Sequence, residues 1–206
     1  FSSDSDNRAL GSSSSAARSG SSSSSSSSSG GAGRSAGSGE EMTGTFVAGG
    51  IEGLRFRTDS FTGLTDSDGT FRYRDGEAVE FSLGGIVLGT ATGAPELTPF
   101  DLVGAAPITA EAELRAALEN HQLVDALDLV SNMMRLFLIL DRDQDPDTGI
   151  DLSGWDADLA DYVLDLEYDL YAFPYRRGID SLPAIKSGFA IKYQLPLELP
   201  LIYLYD

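Results

Sequence analysis

Residues 21–29 are nine consecutive serines, and the first forty residues together hold 19 Ser and 7 Gly. Side chains this small and polar cannot bury enough apolar surface to offset the entropy of ordering the chain. Whatever folds must therefore be built from the residues that follow. Residues 1–42 read as a low-complexity tail, a flexible tether open to O-glycosylation, and residues 43–206 as a single folded domain. The acids of the first forty residues (Asp4, Asp6 and Glu40) offset three arginines (Arg8, Arg18 and Arg34), so the whole net charge of −18 falls on the remainder.

That charge excludes classes of partner. An acidic domain repels phosphate backbones and anionic lipid surfaces, so nucleic acid is not an expected partner, and cations or basic surfaces are. The chain has no cysteine, which removes disulfides, thiolate catalysis, Fe–S clusters and Cys-type zinc sites. The longest apolar run, Met133 to Leu140, is broken by Arg135 and is too short to span a bilayer. No charged segment leading into an apolar stretch is visible, and the expectation is that any export signal has been removed.

Hydrophobic periodicity divides the folded part and predicts an α+β fold. Residues 43–100 are β-rich: Gly44 to Ala48, Gly53 to Thr58, Thr70 to Arg74, Ala78 to Ser82 and Gly85 to Ala91 are short runs separated by Gly, Asp and Ser. Phe71 and Tyr73 alternate with Thr70, Arg72 and Arg74, the signature of a half-buried strand. These runs predict a small, sandwich-like antiparallel β unit. Residues 108–172 are expected to be mainly helical and amphipathic. Thr109 is positioned to cap one or two helices reaching Leu140, and Leu159, Val163, Leu166 and Leu170 mark a further helix over Trp155 to Tyr171. Residues 186–206 are apolar and tyrosine-rich, and Pro196 and Pro200 confine them to an edge strand or extended C-terminal arm.

The densest set of oxygen ligands is the segment from Asp141 to Asp151. Asp141, Asp143, Asp145, Asp147 and Asp151 place carboxylates at relative positions 1, 3, 5, 7 and 11 of a loop leaving a helix, which suits a hard cation. Calcium is the cofactor such a loop would take; the competing reading is a solvated acidic turn that caps the next element. The segment resembles the calcium loops of EF-hand-like and thrombospondin-type repeats. It departs from the EF-hand at Pro146, where the turn glycine belongs, and at Leu152, where the bidentate glutamate belongs. A second acidic turn, Thr65 to Tyr73, is better explained as a hairpin with Asx turns at Asp66 and Asp68 and Gly69 at positive φ. It resembles the hairpin of extracellular β-sandwich modules related to carboxypeptidase-regulatory domains.

The order of motifs carries a wider resemblance: Gly63-Leu-Thr-Asp-Ser-Asp-Gly-Thr-Phe-Arg-Tyr73, Val79-Glu-Phe-Ser-Leu-Gly-Gly-Ile-Val-Leu-Gly89, Leu97-Thr-Pro-Phe-Asp-Leu102, then Leu140-Asp-Arg-Asp-Gln-Asp-Pro-Asp-Thr-Gly-Ile150. Over residues 45 to 152 the chain resembles a group of bacterial exported lipoproteins and adhesin-like proteins. The resemblance implies export and surface association rather than an activity.

Signals for catalysis are weak. Asp147-Thr-Gly149 spells the aspartic-protease triplet, but that chemistry needs two copies sharing a proton, and there is one. His121 is the only histidine, and no nucleophile motif accompanies it. The expectation is a non-catalytic extracellular structural or interaction protein, a subunit of a cell-surface fibre or envelope assembly stabilised by calcium. It would associate with itself or with other envelope proteins through its terminal segments. The alternative is a tethered monomeric ligand-binding or adhesion module with an aromatic groove; a carboxylate-based hydrolase would need paired buried acids in a cleft.

Overall fold

Alternation of apolar and polar residues decides the β half of the molecule. In the computed structural model, which describes residues 39–46, 50–120, 125–145 and 148–168, strand β5 (Thr70–Arg74) buries Phe71 and Tyr73 and turns Arg72 outward, as side chains alternating across a strand require. It pairs antiparallel with β1 (Glu41–Phe46), Gly44 lying opposite Phe71. A Cβ at Gly44 would come within 2.5 Å of the Phe71 ring, so only glycine lets that ring lie flat on the neighbouring strand. The end of β1 continues into a parallel pairing with β8 (Glu96–Leu97).

A second sheet is antiparallel throughout, in the order β4 (Thr62–Leu64), β3 (Arg55–Arg57), β6 (Ala78–Leu83), β7 (Ile86–Thr92). Its inner residues Phe56 and Phe81 meet those of the first sheet. Phe81 lies 4.9 Å from Phe46 and 5.2 Å from Phe71 between ring centroids, the latter pair edge to face, a geometry that adds to the area the rings bury. The β4–β5 turn is held by Asp66, whose Oδ1 accepts from the N–H groups of Asp68 at 3.1 Å and Thr70 at 2.8 Å. Gly69 has φ +74°.

The helices begin at side-chain caps. α1 (Pro99–Leu102) carries a reciprocal capping box between Thr98 and Asp101, and α3 (Ala126–Leu140) carries another between Asp125 and Asp128. α2 (Glu111–Glu119) starts after Ala110 without a side-chain cap, in place of the cap expected from Thr109. α3 differs most from an amphipathic helix. Every residue from Leu127 to Leu140 except Leu129 is buried, so it is a central helix packed on more than one side. It carries Asp128, Ser131, Asn132 and Arg135 into the interior. Asn132 Nδ2 donates to the carbonyls of Leu166, at 3.0 Å, and Tyr168, at 2.6 Å.

The helix expected over Trp155 to Tyr171 is replaced, as far as the described residues run, by the single turn α4 (Trp155–Asp158) followed by irregular chain. The Leu159 carbonyl accepts from Gly85 N–H in the β6–β7 turn and from Tyr162 N–H, which diverts the backbone from a continued helix. Beyond it Leu164 and Leu166 are buried while Val163 is 83% exposed, an alternation of extended rather than helical chain. Strand β2 (Ile51–Glu52) pairs parallel with β9 (Ile150–Asp151), tying the N-terminal part of the sheet region to the segment after α3. The result is an α+β unit. His121, Asp147 and the arm at 186–206 lie outside the described residues.

Candidate functional site

The acidic loop begins where α3 ends. Trp155 Nε1 donates to the last helical carbonyl, that of Leu140, at 2.5 Å, satisfying one of the acceptors that a helix C-terminus leaves open. The Arg142 guanidinium stacks on the Trp155 ring, 4.9 Å from its centroid, and donates to the Ser153 carbonyl. The two ends of the loop are clamped together: Arg142 N–H donates to the Asp151 carbonyl at 3.0 Å, and Asp151 N–H donates to Asp141 Oδ1 at 3.0 Å. Since Ile150 and Asp151 are also strand β9, the loop is anchored to both the core helix and the sheet.

Inside the loop the aspartates act first as turn formers. Asp143 Oδ1 accepts from Asp145 N–H at 3.0 Å, and Thr148 Oγ1 lies 2.7 Å from both Asp143 Oδ2 and the Asp145 carbonyl. Gln144 takes φ +58°, and its amide donates to the Asp141 carbonyl at 3.0 Å. Asp151 Oδ1 accepts from Ser153 N–H at 2.8 Å.

Asp141 is the exception. It is 1% exposed, one oxygen accepts from Asp151 N–H, no N–H donor reaches Oδ2, and its carboxyl group meets that of Asp143. Burial pushes its pKa up to about 6, opposed by the Asp151 N–H and reinforced by the charge of Asp143, by a hydrogen bond shared with the Asp143 carboxyl group and by the charge of Asp151. Asp143 is held below the ordinary carboxylate range by the Thr148 hydroxyl and the Asp145 N–H. The two carboxyl groups face each other, one buried and one hydrated.

Of the five expected ligands, Asp143 and Asp151 are close enough for their charges to act on Asp141. Asp145 is exposed, and Asp147 lies outside the described residues. Among the described residues no group of three or more acidic, imidazole or thiol side chains is gathered as a ready metal-binding set. Sequence reasoning missed Thr148 and Gln144, which shape the loop through a hydroxyl and an amide rather than through charge. The Asp-x-Asp spacing was the available signal for such turns.

A second concave feature is a groove of about 460 Å³ between β7, α1 and the extended chain after α4, lined by Val87, Leu102, Leu129, Val163 and Leu164 with Glu167 at its edge. Val87 is 60% exposed. Among the described residues no helix is long and apolar enough to cross a membrane. No protein-family model matches the chain, and comparison with curated proteins and with solved structures gives no match.

Proposed function

We propose that this chain is a non-catalytic structural or interaction protein of a bacterial surface, an acidic folded unit presented on a serine-rich tether and assembling with copies of itself or with other envelope proteins. The observation that carries the reading is the segregation of charge: residues 1–40 are neutral and Ser/Gly-rich, and all 18 excess negative charges sit on the part that folds. A neutral, hydrated tail gives reach without adhering. A strongly acidic face keeps copies apart until cations or a basic partner screen it. The resemblance of residues 45–152 to exported lipoproteins and adhesin-like proteins supports the same location, and calcium is the cation proposed for the assembled state.

Protease treatment of intact cells tests the location. The expected result is loss of the full-length band while a cytoplasmic control survives; protection until lysis contradicts the reading. A second reading, a tethered monomeric binding module, is favoured by the groove beside Val87 and Val163, whose apolar walls stand open.

A further inference from the structure

We propose that the groove between β7 and the extended chain after α4 takes up a peptide segment of a partner protein as an added strand on β7, a segment that alternates apolar and basic side chains. β7 ends its sheet, and among the described residues it pairs with β6 alone. Gly85, Val87, Leu88 and Gly89 line the groove. Neighbouring strand residues point to opposite faces, so a groove that touches all four follows the edge of the strand rather than one face. Natural sheets blunt such edges with charge or proline. From Ile86 to Thr92, β7 carries neither, and a bulge skips Leu88 in the pairing with β6. An edge left open in this way is what strand addition uses.

The opposite wall fixes the partner's chemistry. From Val163 to Glu167 the chain alternates: Leu164 and Leu166 are buried, while Val163, Asp165 and Glu167 are exposed. Both carboxylates line the groove, and among the described residues no cation does. Apolar walls with two anions select a strand whose apolar side chains settle against Val87 and Leu164 and whose lysines or arginines reach Asp165 and Glu167. The length of this wall matches about five residues, or roughly 16 Å, of extended chain. A second copy of this chain is the poorer match, since a two-fold contact through β7 brings the same two anions of both copies into one interface. A small molecule is poorer too: clefts for such ligands enclose most of the ligand surface, whereas the walls at Val87 and Val163 stand 60% and 83% exposed. The inference rests on the reading of the chain as an interaction module and gives that module its ligand class. Surface location and calcium-dependent assembly are read by other assays, and they can hold where peptide uptake fails.

The probe is a fluorescein-labelled heptapeptide alternating valine and lysine, titrated with the full chain at about 150 mM salt and followed by anisotropy. Saturable binding is expected. Val87→Asp and Val163→Asp should each weaken it about tenfold, although both add negative charge and would strengthen a merely electrostatic attraction. Glu167→Gln should weaken it about threefold and flatten its salt dependence. Leu64→Asp, on the far edge strand of the same sheet, should leave it unchanged. Circular dichroism verifies that each variant is folded. Three control peptides complete the test on the wild-type chain: serine in place of valine, glutamate in place of lysine, and the original sequence N-methylated at alternate residues so that it cannot form a ladder. All three should bind at least about tenfold more weakly. A chain that ignores the valine-lysine peptide overturns the inference, whether the groove is then filled by another part of the chain, by a second copy or by nothing. Equal binding of the serine-lysine or N-methylated peptide, or binding unmoved by both aspartate variants, overturns it as well. Should the aspartate variants not fold, the N-methylated peptide decides the matter on the wild type alone.

Discussion

Replacing Asp156 by Ala removes a side chain that ties α4 both to strand β3 and to the β6–β7 turn. Asp156 Oδ1 accepts from Arg55 Nε at 3.0 Å and from Gly84 N–H at 3.1 Å, while Oδ2 pairs with Arg55 Nη2. The two partners respond differently. The Arg55 side chain is 45% exposed against 9% for Asp156, so a freed guanidinium rehydrates, and the ion pair contributes only about 0–1 kcal/mol. Gly84 N–H is partly shielded by the turn and by Leu159, whose backbone a Cβ at Gly84 would approach to 2.4 Å; an unsatisfied donor there costs roughly 1–3 kcal/mol. The sum is about 2 kcal/mol, or a fall of about 4–8 °C in melting temperature for a folded unit of this size. Asp156→Asn keeps an oxygen for Gly84 and should lose about half as much. Thermal and urea unfolding by circular dichroism measure both. A loss below about 0.5 kcal/mol in Asp156→Ala, the range of ordinary surface changes, would refute the claim that this contact locks α4 to the sheet.

Other outcomes follow from the same structure. Gly44→Ala drives a Cβ to 2.3 Å from the Ala94 carbonyl and 2.5 Å from Phe71 and should destabilise by roughly 1–3 kcal/mol, read by urea midpoint. Phe81→Ala empties the site where Phe46 and Phe71 meet and should cost about 3–5 kcal/mol, enough to broaden or abolish the transition by near-UV circular dichroism. Stability in chelator should peak at mildly acidic pH. Asp141, with a folded pKa of about 6 against 3.8, binds its proton more tightly when folded, so its contribution grows as pH falls from about 7 to about 5. Asp66, held low by Thr70 N–H, and Glu77, held low against its burial by the Ser60 hydroxyl and Arg74 N–H, act oppositely and lose their contribution as pH drops below about 4. A denaturation series across pH 3–8 that declines steadily from neutrality would contradict the Asp141 assignment.

Legibility in the sequence followed the range of the interactions. β5 and β6 could be read almost to the residue, because Phe71, Tyr73, Val79 and Phe81 alternate with polar neighbours and Asp66 and Gly69 announce the turn before them. The two-residue strands β2, β8 and β9 could not, since each exists only through a partner distant in sequence; Ile51 meets Ile150 across the fold. The capping box at Thr98-Pro99-Phe100-Asp101 was a readable signal that went unread. α3 was legible as a helix but not as a central one, because Asp128, Asn132 and Arg135 suggest a wet face until Leu166 and Tyr168 cover it. The spacing of Leu159, Val163 and Leu166 imitates a helix, whereas the β6–β7 turn claims the Leu159 carbonyl and Asp165 Oδ1 accepts from Glu167 N–H at 2.9 Å. At the acidic loop the aspartates were evident. That Asp141 is buried against Asp143 while Asp145 is exposed depends on Trp155 and β9, which spacing alone does not encode.

Light scattering on the full chain after size-exclusion chromatography, first in about 5 mM calcium, above the Kd range of weak extracellular calcium modules, and then in chelator, tests the central claim that this acidic unit is an assembly subunit held by cations. Discrete oligomers or polymers in calcium that revert toward the monomer mass in chelator are expected. A monomer at both conditions, up to the highest soluble concentration, would contradict the assembly account and favour the tethered binding module.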